Sequence, residues 1–82
     1  MNVKWNITKW CKIITDSGKD EYTGRDVTGC SCRFRLLDDD GDVYAYGKAS
    51  GETFAPLNAY MSSYGCTEIQ YENQKTGKYE TL

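Results

Sequence analysis

The sequence predicts an α+β fold, a small antiparallel sheet of about five strands with one short helix. Three observations predict it. Apolar and polar residues alternate with period two over most of the chain, the pattern of half-buried strands. An Asp-Gly turn at Asp40-Gly41 separates two such stretches, a strong short-range mark of a hairpin. A single stretch, around Pro56 to Ser63, changes to helical spacing.

The first strand covers about Val3 to Thr15, as one long strand or two short ones with a bulge. Val3, Trp5, Ile7, Cys11 and Ile13 share one face. Lys4, Asn6, Thr8 and Lys12 share the other, with Trp10 and Ile14 out of phase. On this count Trp5 and Trp10 face opposite ways. Asp16 to Gly29, polar and punctuated by Gly18, Gly24 and Gly29, reads as a loop. Cys30 to Leu37 is the clearest strand, with Cys30, Cys32, Phe34 and Leu36 on one face and Ser31, Arg33 and Arg35 on the other. Asp38 to Asp42 turns the chain, and Val43 to Lys48 returns it.

Ala49 to Glu52 is a loop. Phe54, Leu57, Tyr60 and Met61 then fall at helical spacing, Pro56 suits the first turn, and Gly65 ends the helix. Cys66 to Glu72 is the fourth strand, with Thr67, Ile69 and Tyr71 inward. Asn73 to Gly77 is a turn, and Lys78 to Leu82 a short last strand.

The 82 residues make one domain, 1–82. A core this small is marginal. Apolar burial and chain entropy, at roughly 1.5 kcal/mol per ordered residue, nearly cancel. Four cysteines, no histidine and no export-like N-terminus suggest a reducing, cytoplasmic setting. That setting favours a structural zinc held by Cys11, Cys30, Cys32 and Cys66, since four thiolates close the shell against catalysis. Such a site supplies an apparent ~10–16 kcal/mol of coupled folding energy. Cys30 and Cys32, about 6.6 Å apart along a strand, suit a shared metal better than a mutual disulfide. Cys66 fits only if a bulge or the preceding loop turns it. Four free buried thiols and two disulfides are the competing readings.

The net charge of −2 makes the chain neither a bulk polyanion nor a bulk basic nucleic-acid binder. No apolar run approaches the ~20 residues of a membrane span. With no histidine, no Gly-rich phosphate loop and no nucleophile elbow, the expectation is a protein that is not an enzyme.

Two surfaces stand out. Asp38, Asp39, Asp40 and Asp42 beside Tyr44 and Tyr46 form an acidic hairpin suited to a partner's phosphate-binding groove; its plainer reading is a solvated tip. Gly41 precedes Asp42, which breaks the EF-hand register. Cations interleave with aromatics at Lys4-Trp5, at Lys9-Trp10-Cys11-Lys12 and around Arg33 and Arg35, the ingredients of single-stranded nucleic-acid binding.

Several segments also carry a resemblance: Asp26-Val27-Thr28-Gly29-Cys30-Ser31-Cys32, Arg35-Leu36-Leu37-Asp38-Asp39-Asp40-Gly41, Phe54-Ala55-Pro56-Leu57 and Gly65-Cys66-Thr67-Glu68-Ile69-Gln70-Tyr71. The chain resembles small proteins of phages and mobile elements, and among them the zinc-binding type II-A anti-CRISPR inhibitors. The resemblance implies direct binding to a type II CRISPR effector nuclease, with structural zinc, by an inhibitor that blocks guide assembly, target-DNA loading or the nuclease step; blocked target-DNA loading is the favoured mode, and a monomer with no direct nucleic-acid contact is expected. The alternative is a nucleic-acid-binding small regulator of a mobile element.

Overall fold

The computed structural model describes residues 3–82. Six strands and one helix follow in the order β1 (Trp5–Trp10), β2 (Glu21–Tyr22), β3 (Cys32–Leu37), β4 (Val43–Ala49), α1 (Ala55–Tyr64), β5 (Glu68–Glu72) and β6 (Tyr79–Thr81). The strands form one antiparallel sheet in the order β2-β1-β4-β3-β5-β6. The sheet thus has six strands, against the expected five or so. The extra one, β2, comes from the stretch expected to be loop. Its two residues pair with Lys9 and Trp10, and the Thr23 N–H continues the contact by donating to the Thr8 carbonyl at 3.0 Å.

A bulge corrects the parity of β1. Ile7 pairs with Gly47 and Lys9 with Tyr46, so the register shifts across Thr8. Beyond the shift Trp10 stands opposite Ala45, which is fully buried. Trp5 and Trp10 therefore lie on one face, not two, and both meet the ring of Tyr60 edge-on, at centroid distances of 6.0 and 5.0 Å. One inserted residue exchanges the faces of everything after it.

The core lies between this face and α1. It gathers Ile7, Phe34, Leu36, Ala45, Ala49, Leu57, Cys66, Ile69 and Tyr71. Gly47 is the floor under Phe34: a Cβ built there would collide with the Phe34 ring and the Asn6 carbonyl oxygen. The helix starts without a side-chain cap, carries Pro56 in its first turn, and closes on Gly65 at φ 81°. Leu57 is buried and Tyr60 half-buried, whereas Phe54 and Met61 of the expected apolar face are exposed. Tyr71 joins the sheet to the segment leading into α1. Its hydroxyl accepts from the Thr53 N–H at 3.0 Å and donates to the Thr53 carbonyl at 2.8 Å. Among the described residues no helix is long and apolar enough to cross a membrane.

Candidate binding face and the acidic turn

With α1 on one side, the other face of the sheet carries the outward residues of each strand. Lys9 pairs in register with Tyr22 on one side and Tyr46 on the other, and Arg35 pairs with Tyr46 and Gln70. Tyr22, Lys9, Tyr46 and Arg35 thus form a row across four neighbouring strands. The Lys9 ammonium lies 5.8 Å from the Tyr22 ring centroid and 4.7 Å from that of Tyr46. Tyr79 reaches in from β6, 6.2 Å edge-on from Tyr46, with the Arg35 guanidinium 4.3 Å over its ring. Cation–π attraction holds these groups in alternation. Arg35 Nε also donates to Gln70 Oε1 at 2.8 Å, which fixes the guanidinium.

Two residues along β3 and β4 a second row sets Lys48 opposite both Asn6 and Arg33. Among the described residues the one ion pair is Lys9 with Asp20, at 3.7 Å. Arg33, Arg35 and Lys48 therefore have no carboxylate within ion-pair reach. Burial pushes the Tyr79 phenol up, Glu72 and Tyr46 add to this, and Arg35 and Arg33 oppose it. Glu68 lies below the usual carboxylate range because it accepts hydrogen bonds from Thr81 and Gln70.

The acidic turn is tightly built. Asp38 Oδ1 accepts from the backbone N–H groups of Asp40 and Asp42 at 2.9 and 3.0 Å, and Oδ2 accepts from the Tyr44 hydroxyl at 3.0 Å. Partial desolvation pushes the Asp38 carboxyl up. The bonds from Asp42, Tyr44 and Asp40 outweigh it and hold the group below its ordinary range. Asp39 accepts from the Thr67 hydroxyl at 2.7 Å, so Thr67 faces outward rather than inward as the strand pattern suggested. Carboxylate oxygens of Asp38, Asp40 and Asp42 lie within 4.8 Å of one another. With three donors already on Asp38, this cluster acts first as a turn. The six residues expected to form one partner-binding patch are divided. Asp39, Asp40 and Asp42 are exposed at the tip, Tyr44 packs beside the core, and Tyr46 belongs to the open face.

The four cysteines do not converge. Among the described residues no group of three or more possible ligands includes a cysteine. Cys32 opens β3 opposite Ala49, and the Cys30 thiol donates to the Lys4 carbonyl at 3.6 Å, at one end of the sheet. Cys11 follows β1 with its N–H on the Tyr44 carbonyl, and Cys66 precedes Thr67, whose N–H bonds the Leu37 carbonyl, at the other end. Five residues of β3 separate the ends, about 16 Å at ~3.3 Å per residue. Thiolates on one zinc, each ~2.3 Å from the ion, sit within about 4 Å of each other. The thiols therefore do not fit a shared Cys₄ site. Cys66 is 1% exposed, and burial pushes its thiol up. Burial does the same for Cys11, with Lys9 opposing and Asp20 reinforcing.

No family model matches the chain, and no curated protein or solved structure matches it either. Sequence reasoning placed Lys9, Arg33 and Arg35 among the candidate cations but chose the tryptophans as their stacking partners. The tyrosines fill that role. The signal was there in Tyr22, Tyr46 and Tyr79, but only the β1 bulge and the pairing of β2 and β6 bring them to one face.

Proposed function

We propose that this protein is a non-catalytic nucleic-acid-binding module that works through the helix-free face of its sheet. The observation that carries the reading is the alternation of tyrosines with Lys9 and Arg35 across neighbouring strands, beside Lys48 and Arg33 with no carboxylate in reach. Phosphates supply the missing counter-charge, and the release of condensed counterions makes binding salt-dependent. The bulk charge of −2 is no obstacle, because four of the ten cations, Lys9, Arg33, Arg35 and Lys48, stand on β1, β3 and β4. Fluorescence anisotropy with labelled oligonucleotides at low salt tests the reading. Binding that weakens with added salt and with Arg33→Glu is expected; no binding at any salt concentration rejects it.

The acidic turn favours a second reading, in line with the resemblance to type II-A anti-CRISPR inhibitors. A turn locked by Asp38 holds Asp40 and Asp42 out as fixed negative charges, and the guide–target channel of an RNA-guided nuclease is positively charged. Zinc has no part in this version, because the thiols do not meet. A cleavage assay with purified type II nucleases decides it: inhibition relieved by Asp40→Lys supports the inhibitor, and full cutting at molar excess rejects it.

A further inference from the structure

We infer that the open face takes single-stranded nucleic acid, with bases on the rings of Tyr22, Tyr46 and Tyr79 and the phosphodiester backbone along Lys48 and Arg33. The inference rests on the nucleic-acid reading above and adds the strandedness and the division of labour between the rows.

The geometry argues against a duplex read through its major groove. Six strands at ~4.8 Å spacing make a sheet about 24 Å wide. The major groove of B-DNA is about 12 Å wide and admits a helix or a two-stranded ribbon. A broad sheet face lies against its ligand instead of entering it, and a flat ligand must offer flat groups. Unpaired bases do so; paired and stacked bases in a duplex hide theirs.

The two rows supply the two contacts a single strand needs. Tyr22 is 79% exposed, so its ring is open to a stacking partner. Tyr46 and Tyr79 stand at the other side of Lys9, their positions fixed by Lys9 and Arg35. The second row lies two residues along the strands, about 6.6 Å away. There Lys48 and Arg33 stand directly opposite each other. Like charges in cross-strand register destabilise a sheet. Neither has a carboxylate partner, and an anion lying between them relieves the repulsion. Glu68 and Glu72 on β5 bound the cationic strip and turn the backbone toward β4 and β3. A strand crossing this width occupies a short site, near the lower end of the ~4–16 nucleotides typical of sheet-based binders.

The test uses the full chain and fluorescein-labelled oligothymidylate, oligouridylate and a mixed-sequence duplex. Both single strands are expected to bind more tightly than the duplex. Tyr22→Ala, on an exposed two-residue strand where folding is not at stake, is expected to weaken single-strand binding about 5- to 150-fold. Its salt slope is expected to stay unchanged. Lys48→Glu and Arg33→Glu are expected to flatten the salt slope. Duplex binding as tight as single-strand binding, or full affinity in Tyr22→Ala beside a weakened Arg33→Glu, overturns the inference and leaves the broader nucleic-acid reading standing. Absence of binding to all three probes overturns both.

Discussion

Gly47 is the residue on which the sheet's closest approach depends. Its missing side chain lets Phe34 lie flat across β4 beside the Asn6 carbonyl. Gly47→Ala is expected to cost about 1–3 kcal/mol through overpacking, read as a lower urea midpoint. Tyr71 is a second such position, 3% exposed with its hydroxyl closing two bonds to Thr53. Tyr71→Phe keeps the ring and strands both Thr53 groups, so a loss of about 1–3 kcal/mol is expected in the same titration. Asp38 governs the turn in a pH-dependent way. Its carboxyl titrates lower in the folded protein than in the unfolded chain. The stabilisation is therefore complete above the unfolded value of ~3.9 and drains away as pH falls through the folded one. Urea midpoints of wild type and Asp38→Asn are expected to differ at neutral pH and to converge below about pH 4. These three roles were unequally legible. The Asp-Gly turn was plain in the sequence. The need for Gly47 was not, because it depends on where a ring from the neighbouring strand comes to rest.

Among the elements, β3, β4 and β5 were readable because each carries a clean period and a marked end, and α1 because Pro56 and Gly65 mark its ends, although Phe54 and Met61 of its expected apolar face are exposed. β1 was readable only in part. Its one-residue bulge reverses the faces of Lys9 and Trp10, and period counting cannot locate such a shift without the partner strand. β2 was unreadable: two residues are too few for any periodicity, and pairing with β1 alone makes them a strand. The cysteines misled for a related reason. Cys30 and Cys32 do lie at one end of β3, but the sequence held no measure of how far Cys11 and Cys66 would be from them. The antiparallel order places those two at the opposite end. Treatment with a zinc chelator is accordingly expected to leave the melting temperature unchanged, as checked by circular dichroism. A fall of many degrees would mean that the thiols meet after all.

At the scale of the whole molecule, the charge is partitioned rather than balanced. The strip on β1, β3 and β4 is basic, and the hairpin tip is acidic. On the proposed reading Lys48 and Arg33 make two phosphate contacts. Two contacts at ~0.7 each give a slope of about −1.4 in log affinity against log salt for a single strand, and removing one cation is expected to raise it by about 0.7. Anisotropy titrations over a range of salt concentrations measure both. The strand order has a further effect. Lys9 and Arg35 come from strands that do not pair with each other, and Tyr46 on β4 stands between them in register. As the chain leaves the ribosome, every shorter fragment that stops before Val43 carries both cations and no platform to hold them. On the proposed reading, an oligonucleotide can dock during synthesis only once β4 has closed that gap, and the full set of rings waits for Tyr79 on β6, the last strand to be made.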